Sequence, residues 1–358
     1  MIELALFVIT YLLVLISLFN YYTIRTPKNS APVQASVTLL LPVRNEEGNI
    51  AECIAALKSQ SGVEHLKFSV INDQSTDNTA GLLASAIADD SRFNVMNTDG
   101  PRPGWLGKVS ALQSGYEATS AEFVVTLDAD VRLIPGALCR AINQISELNL
   151  DFISPYPRQE ARTVAEKLIQ PLLHWSWMST IILRLAEKKP QPSTAVANGQ
   201  FFLARKSALD AVGGFQSVQK EILDDIEIAR SLIKGGFRGV VTEGAEIAHT
   251  RMYQNFSEIR EGYGKSLHKA FGGKVGAVVA STFIAITGIF PLILALRGSL
   301  VAAIAFLLIA FTRVLSALRA KTNPIYALLH PVSSALLIYL IAYSWRKRGK
   351  IQWKGRTV

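Results

Sequence analysis

The stretch Phe123-Val124-Val125-Thr126-Leu127-Asp128-Ala129-Asp130 decides the fold of this chain. Residues 123–127 form a short apolar run rich in β-branched residues, which is typical of a buried strand in a parallel sheet. Asp128 and Asp130 follow at the carboxyl end of that strand, where open α/β sheets bind their ligands. Side chains two residues apart on an extended segment point the same way, so both carboxylates can hold one divalent cation. A helix-capping aspartate followed by a solvated one is the alternative interpretation.

Strand-like and helix-like segments alternate from residue 37 to about residue 155. This alternation predicts an α/β fold with a doubly wound, mostly parallel sheet. A strand pattern returns at residues 195–203, around Asn198-Gly199-Gln200, and Asp224-Asp225 opens a helix that Gly235-Gly236 ends. The predicted strands are 37–41, 68–71, 94–96, 123–127, 152–155, 238–241 and 245–249, and the predicted helices include 49–60, 108–119, 138–148 and 224–234.

Long apolar segments flank this α/β region. The chain has 358 residues, of which 49% are hydrophobic, and a net charge of +9. Residues 2–22 are almost wholly apolar, with Glu3 as the only charge, and residues 1–24 are long enough to be a transmembrane anchor. Arg25 and Lys28 begin a linker, residues 25–35, and by the positive-inside rule they place the next domain in the cytoplasm. The two cysteines, Cys53 and Cys139, indicate a reducing compartment and no disulfide framework.

Residues 275–345 contain three further apolar stretches, at 275–296, 300–318 and 325–345, and residues 346–358 form a basic tail. Such a tail is expected on the cytoplasmic, anionic side of a membrane. Three full crossings from a cytoplasmic domain would leave it on the other side. We therefore expect two to three spans or one re-entrant segment, and we suspect the closely spaced pair within 275–318.

Residues 166–185 are rich in Trp, Leu and Ile but are interrupted by Gln170, Pro171 and His174. This pattern fits an amphipathic segment at the membrane face or over an acceptor groove. A buried core helix is the equal alternative.

Several polar residues follow the predicted strands and carry the chemistry. Asp73 follows the second strand as Asp128 and Asp130 follow the fourth, an arrangement that suits a nucleoside diphosphate with a metal on its pyrophosphate. The loop from Pro103 to Lys108 is bracketed by glycines and enters a helix, where backbone amides and Lys108 can meet phosphate or sugar. A plain turn with Trp105 as a core residue is the alternative. The sequence lacks a Gly-x-Gly-x-x-Gly or Walker motif at the first strand, which excludes a dinucleotide oxidoreductase or a P-loop ATPase.

Taken together, these motifs resemble the family 2 glycosyltransferases of GT-A fold, over residues 36–270. The loop Gly104-Trp105-x-Gly107-Lys108, the stretch at 251–253 and the basic tail resemble the membrane-bound subgroup that acts on carotenoid acids and hopanoid-type lipids. The motifs are Pro42-x-Arg44-Asn45-Glu46, Asn72-Asp73-x-Ser75-x-Asp77-x-Thr79, Gly104-Trp105-x-Gly107-Lys108, Asp128-x-Asp130, Asn198-Gly199-Gln200 and Asp224-Asp225.

The resemblance implies a role for each motif. Asp73 would contact the uracil or ribose of a UDP-sugar, in a pocket lined by Pro42, Arg44 and Glu46. Asp130, helped by Asp128, would hold Mg²⁺ or Mn²⁺ on the diphosphate, and Lys108 would lie near the donor phosphates or sugar. Asn198, Gly199, Gln200 and Trp105 would lie on the acceptor side. Asp225 would be the general base, with Asp224 or Glu227 as alternatives.

The expected activity is inverting, metal-dependent transfer of one sugar onto a membrane lipid at the cytoplasmic face of the cell membrane. Processive polysaccharide synthases carry a Gln-x-x-Arg-Trp element after the base, and the corresponding stretch here, residues 251–260, departs from it. This departure argues against a long-chain polymerase and for transfer of a single sugar, and a glycan-chain synthase subunit stays as one alternative. A non-catalytic membrane protein with a degenerate transferase domain is another. A nucleic-acid partner is disfavoured because the basic residues cluster beside the apolar stretches.

Overall fold

The structure, a computed structural model, describes residues 1–349, 352–353 and 356–357. Two residues of the predicted basic tail, Lys350 and Lys354, lie outside the described residues. The chain divides into two compact units. Unit 1 comprises Met1–Ile24, Gln159–Arg184 and Arg251–Val358, and unit 2 comprises Arg25–Arg158 and Leu185–Thr250.

The strands and helices are numbered separately in chain order. The strands are β1 Val33–Val43, β2 Val63–Asn72, β3 Phe93–Asn97, β4 Phe123–Leu127, β5 Val131–Leu133, β6 Phe152–Tyr156, β7 Arg158–Gln159, β8 Phe201–Arg205, β9 Gly239–Glu243, β10 Ala248–Thr250, β11 Gln352–Trp353 and β12 Arg356–Thr357. The helices are α1 Ile2–Thr23, α2 Ile50–Lys58, α3 Thr79–Ile87, α4 Gly107–Glu117, α5 Ala137–Glu147, α6 Val164–Ile169, α7 Pro171–Thr180, α8 Leu183–Lys188, α9 Lys206–Ala211, α10 Asp224–Lys234, α11 Phe256–Ala270, α12 Lys274–Gly288, α13 Phe290–Leu296, α14 Leu300–Arg319 and α15 His330–Lys347.

Unit 2 is built on a seven-stranded sheet in the order β3-β2-β1-β4-β8-β6-β9. The first four strands pair in parallel, and β6 and β9 pair in parallel. Only β8 runs antiparallel to its neighbours β4 and β6. The predicted α/β fold with a mostly parallel sheet is therefore confirmed.

Helices cover both faces of this sheet because alternate residues of each strand face opposite sides. Leu39 and Leu41 of β1 pack into one apolar cluster with α2, α3 and α5, whereas Leu40 packs into a second cluster with α4, α9 and α10. All five residues of β4 are buried, as the apolar run predicts for a strand covered on both faces. The three layers fix the loops at the carboxyl ends of β1, β2 and β4 on one edge.

Two sequence expectations for unit 2 need correction. The strand expected at 195–203 begins only at Phe201, because residues 195–200 form a loop held by side chains. The strand expected at 245–249 is shifted, and β10 pairs antiparallel with β5 immediately after the aspartate pair. In both places local propensity is overridden by tertiary hydrogen bonding.

Unit 1 is helical. The described part of the chain contains four helical segments that are long and apolar enough to cross a membrane: Ile2–Thr23, Lys274–Leu296, Leu300–Arg319 and Pro324–Lys347. The second is divided between α12 and α13, where Pro291 lies in the first turn of α13 and cannot continue the hydrogen-bond ladder.

The Trp-rich segment at 166–185 forms the short helices α6 and α7 within unit 1. Trp175 and Trp177 are 5% and 7% exposed, so the amphipathic interpretation is wrong and the buried-helix alternative is correct. The Trp175 indole donates a hydrogen bond to Thr312 at 2.8 Å, which satisfies its one polar atom. Thr163 caps the start of α6 in a capping box with Glu166, and Glu166 also pairs with Arg251 at 3.2 Å.

Candidate active site

The loops after β1 and β2 are tied together by hydrogen bonds. The backbone N–H of Glu46 donates to the Thr79 hydroxyl at 2.8 Å, and that of Glu47 donates to the Asp77 carboxylate at 3.1 Å. In the other direction, the backbone N–H of Thr76 donates to the Asn45 side chain at 2.8 Å. Both motifs therefore act as one rigid pair of loops, and many of their polar side chains serve this purpose.

Arg44 and Asp73 lie at the centre of this pair. The Arg44 guanidinium donates to the carbonyl oxygens of Asp73 and Gln74 at 2.7 and 2.9 Å, so it fixes the backbone beside Asp73. Asp73 is only 4% exposed, and its carboxylate accepts a 3.3 Å hydrogen bond from the Thr98 hydroxyl. The predicted donor-pocket residues Arg44, Glu46 and Asp73 are brought together at one sheet edge, with Pro42 inside β1.

Lys108, in the first turn of α4, lies among carboxylates. Its ammonium is 2.7 Å from the Asp128 carboxylate and 3.9 Å from that of Asp224, and its side chain is 35% exposed. Burial opposes the charged form of Lys108, but the charges of Asp128, Asp224 and Asp225 outweigh it and hold the pKa of Lys108 above its usual range. The lysine predicted near the donor phosphates thus meets the metal-site and general-base candidates in one cluster.

Asp225 is held by backbone amides at the start of α10. Its carboxylate accepts hydrogen bonds from the N–H groups of Gly199 at 2.6 Å and Ile226 at 2.8 Å. Burial and the neighbouring Asp224 charge raise the pKa of Asp225 to about 6, although Lys108 and both hydrogen bonds lower it. A carboxylate with a pKa near neutrality is suited to accept a proton during catalysis.

Gly199 is the point where the loop before β8 meets this cluster. A Cβ atom at this position would lie 3.0 Å from the Lys108 ammonium and 3.3 Å from Asp225 Cβ, so a side chain would crowd both. The residues on either side of Gly199 are linked to each other, since the Gln200 N–H donates a hydrogen bond to the Asn198 side chain at 3.0 Å. The backbone N–H of Asp128 donates to the Gln200 carbonyl, which ties this loop to the aspartate pair.

Asp128 and Asp130 lie in the turn between β4 and β5, as the sequence predicts. Within the described residues, there is no group of three or more His, Cys, Asp or Glu side chains that could hold a metal ion. The pair nevertheless fits a divalent cation in the way that Mg²⁺ is usually bound, through one or two carboxylates completed by substrate phosphates and water. Asp128 already pairs with the Lys108 ammonium at 2.7 Å, so a metal ion here would share this carboxylate with Lys108.

Trp105, predicted on the acceptor side, lies in the loop before α4 and is partly buried. Its ring packs against the second apolar cluster, and the Arg102 guanidinium lies 5.3 Å from the ring centroid. Arg102 in turn pairs with Glu117 at the end of α4. These contacts agree better with the alternative of a core residue beneath the loop.

Two residues that support the site were missed from the sequence. The Arg132 guanidinium donates to the carbonyls of Ala129 and Asn49 at 2.8 and 3.0 Å, and so fixes the aspartate turn against the start of α2. The Ser154 hydroxyl accepts from the Asn198 N–H at 2.8 Å and holds the loop before β8. The features of the sequence that indicate them are the position of Arg132, two residues after Asp130, and the hydroxyl of Ser154 inside an otherwise apolar strand.

Comparison with known proteins identifies the family of this site. Residues 38–213 match the model of Glycosyl transferase family 2. The chain is 27% identical over 340 residues to 4,4'-diaponeurosporenoate glycosyltransferase of Staphylococcus aureus (strain USA300), covering 90% of this chain and 88% of that protein. The same enzyme of strain MRSA252 is 26% identical over 345 residues, with the same coverage.

A solved structure shares the fold over nearly the whole chain. The mannosyltransferase PcManGT from Pyrobaculum calidifontis, in complex with GDP-Man and Mn²⁺, has a TM-score of 0.56 and is 18% identical; 97% of this chain and 98% of that chain are covered. Residues 38–213, which contain the two loop motifs, Lys108, the aspartate pair and the 198–200 loop, therefore form a glycosyl transferase family 2 domain of GT-A fold, and the chain is a glycosyltransferase.

Proposed function

We propose that this enzyme transfers one sugar, with inversion, from a UDP-sugar to a membrane lipid. The observation that carries the proposal is the position of Asp225, held by two amides beside Gly199 and facing Lys108. In a single displacement Asp225 takes the proton of an acceptor hydroxyl, and the acceptor oxygen bonds to the anomeric carbon. The bond from that carbon to the diphosphate oxygen breaks, and the nucleoside diphosphate leaves.

The leaving diphosphate carries negative charge that the site must stabilise. Asp128 and Asp130 would hold Mg²⁺ or Mn²⁺, which when bound neutralises this charge. Lys108 contributes a second cation close to Asp128, at 2.7 Å. The solved mannosyltransferase contains Mn²⁺, which agrees with a divalent cation in this fold.

The donor end of the site is the loop pair after β1 and β2. Arg44 donates to the carbonyl oxygens of Asp73 and Gln74 and so fixes the backbone that follows the Asp73 side chain, which lies at the sheet edge and would receive a ribose hydroxyl or base. We propose UDP as the nucleotide, following the motif resemblance. The solved mannosyltransferase is named with GDP-Man, so a guanosine donor is the necessary comparison.

For the acceptor we propose a carotenoid- or hopanoid-like lipid. The relatives at 26–27% identity are named for 4,4'-diaponeurosporenoate, and four helical segments of this chain are apolar enough to lie in a membrane. A hydroxyl acceptor needs Asp225 as base. A carboxylic acid acceptor arrives already ionised and needs the base less.

We also propose a membrane topology in which unit 1 makes three crossings and α15 is re-entrant. The His330 ring lies 4.5 Å from that of Phe306, whereas Ser334 accepts a hydrogen bond from Arg313. The earlier residue of α15 therefore lies beside the earlier residue of α14, and the later residue beside the later one. The two helices run in the same direction. The chain between the end of α14 and the start of α15 must therefore turn back partway into the membrane before α15 begins.

The remaining contacts of unit 1 agree with this direction. Gly288 at the end of α12 approaches Ser334, and Lys274 at its start lies 6.0 Å from the Trp345 ring, so α12 runs opposite to α15. Arg319 at the end of α14 is 3.5 Å from the carbonyl of Ile24, at the end of α1.

This topology removes the conflict over the basic tail. The ends of α1, α14 and α15 share one face, where basic residues concentrate, and Arg297 lies on the other. By the positive-inside rule the basic face is cytoplasmic. The re-entrant segment is then 324–347 and not part of the suspected 275–318 pair. The basic residues at these helix ends are Arg319, Lys321, Arg346, Lys347 and Arg348, and Arg25 and Lys28 follow α1 in the sequence.

Nucleotide release tests the reaction class. The purified full chain, supplied with a lipid extract, is given UDP-glucose, UDP-N-acetylglucosamine or GDP-mannose, with Mg²⁺ or Mn²⁺ or with EDTA. We expect lipid-dependent release of UDP that EDTA abolishes. Release from GDP-mannose alone would overturn the choice of nucleotide, and lipid-independent release would contradict a lipid acceptor.

A further inference from the structure

Arg313 is a charged residue inside an apolar candidate span. It lies on α14, six residues before that helix ends at Arg319, or about 9 Å along the axis at 1.5 Å per residue. Its side chain is turned inward, and the residue is 9% exposed. On the same helix Leu307, Phe311 and Leu318 are exposed apolar residues, so the opposite side of α14 is suited to lipid.

The contacts of Arg313 do not neutralise its charge. Within the part of the chain that the structure describes, its only hydrogen bond goes to the Ser334 hydroxyl at 3.2 Å, and its Nε is buried without a partner. One face of the guanidinium lies 4.3 Å from the Trp175 ring centroid. None of the described carboxylates forms an ion pair with it. A guanidinium has five N–H donors in a planar fork, so most of its capacity is unused.

The surroundings offer further donors but no compensating anion. The His330 ring is fully buried and lies 4.5 Å from the Phe306 ring of α14. Nearby, the polar atoms of His174 and Trp175 are already occupied by Ser316 and Thr312 at 2.7 and 2.8 Å. A buried charge without a partner is costly, and charged residues inside membrane segments generally mark functional sites.

We propose that Arg313 is the anchor of an anion-binding site for the oxyanion head of a lipid, a carboxylate or a phosphate. The planar fork matches either group in a bidentate pair, and Trp175 holds the guanidinium in place. Because the 20 residues of α14 span about 30 Å, the thickness of the hydrocarbon layer, Arg313 lies about 9 Å inside that layer, and it would draw the oxyanion head below the head-group level. The site lies wholly within unit 1 and does not depend on the transfer chemistry proposed for unit 2.

Lipid binding to the full chain in neutral detergent tests this site. The probes are oleate, its uncharged methyl ester, and lysophosphatidic acid, read out by equilibrium binding and by Tm. For the wild type we expect oleate to bind and to raise the Tm, and methyl oleate to do neither. Stronger binding of lysophosphatidic acid than of oleate would identify phosphate as the source of the oxyanion within the same proposal.

Two variants separate the site from general membrane packing. Arg313→Met should weaken oleate binding at least about tenfold, whereas Arg297→Met, which removes an exposed arginine after α13, should leave it unchanged. The lipid-free Tm of Arg313→Met should not fall below that of the wild type, because the change removes a buried charge without a partner.

The decisive comparison needs no variant and therefore survives a failure of Arg313→Met to fold. Equal binding of oleate and methyl oleate by the wild type would overturn the proposal. Unchanged oleate affinity in a folded Arg313→Met protein would overturn it as well.

Discussion

At the residue scale, Lys108 controls the charge of the candidate active site. One ammonium faces the carboxylates of Asp128, Asp224 and Asp225, and its charge keeps the pKa of Asp225 from rising further. The two acidic pairs come from distant parts of the sequence, and Lys108 is the residue that allows them to lie together. A lysine in this position therefore lowers the pKa of the proposed base, and we propose that it also stabilises the leaving diphosphate.

The raised pKa of Asp225, about 6, predicts the pH dependence of transfer to a hydroxyl acceptor. The base works only when deprotonated, so kcat/KM should rise with pH and level off above about 6. Stability has the opposite sign: the folded state binds this proton more tightly than the unfolded state, so this contribution falls as pH rises from about 4 to 6. Lys108→Met should raise the pH at which kcat/KM levels off. An unchanged pH profile of kcat/KM in this variant would contradict the coupling between Lys108 and Asp225.

Asp225→Asn tests the base itself. With a hydroxyl acceptor we expect kcat to fall by about 10²- to 10⁴-fold, the range typical of a lost general base. With a carboxylic acid acceptor the loss should be much smaller. Glu227→Gln is the comparison variant, because Glu227 is an alternative base and pairs with Arg230 on the same helix. We expect little loss of kcat in Glu227→Gln, and a loss as large as that of Asp225→Asn would contradict the assignment of Asp225 as the base.

At the element scale, the loops after β1 and β2 form one unit, and Asp77 joins them through hydrogen bonds. Its carboxylate accepts hydrogen bonds from the Thr79 hydroxyl, the Thr79 N–H and the Glu47 N–H. Although burial opposes ionisation, these hydrogen bonds lower the pKa of Asp77. The stabilisation is therefore present above the usual aspartate pKa and is lost as pH falls through the lowered value.

Asp77→Ala should consequently destabilise unit 2 by about 1–2 kcal/mol and raise the KM for the nucleotide-sugar, because the donor loop loses its support. Asp89→Ala, which removes an exposed aspartate just after α3, should change neither quantity. The measurements are the Tm in detergent and donor saturation curves. A higher KM in both variants would mean that net charge, not loop support, sets donor affinity.

The sequence predicts the elements of unit 2 well where pattern and packing agree. The strands β1, β2 and β4, the helices α4 and α5, and the polar residues that follow the strands are all evident from hydrophobic runs ended by polar clusters. The antiparallel β8 was not foreseen, because strand direction depends on the path of the chain and not on local composition. For Trp105 and the Trp-rich segment the sequence left two interpretations open, because an aromatic residue looks the same in a core and at a binding surface.

The charge cluster itself could not be read from spacing. Lys108, Asp128 and Asp225 are separated by up to 117 residues, and nothing local indicates that the three side chains meet. Their roles were available only through the motif resemblance. Arg132 and Ser154 were missed because each acts through backbone carbonyl or amide groups, which the sequence does not display.

At the scale of the whole molecule, the proposed topology makes a direct prediction. Single cysteines at Lys28 and Lys347 should react with a membrane-impermeant maleimide only after cells are permeabilised, and a cysteine at Leu296 should react in intact cells. Native Cys53 and Cys139 are buried and give little background. Labelling at position 347 in intact cells would contradict the re-entrant α15.

The proposed transfer depends on the aspartate pair and a membrane acceptor acting together, so label transfer from donor to lipid tests the central claim most directly. Labelled UDP-sugar is incubated with the full chain and lipid extract, and the label in the organic phase is measured. We predict transfer by the wild type and by Asp89→Asn, and none by Asp128→Asn/Asp130→Asn with an unchanged Tm. Transfer at the wild-type rate by this folded double variant would contradict the account.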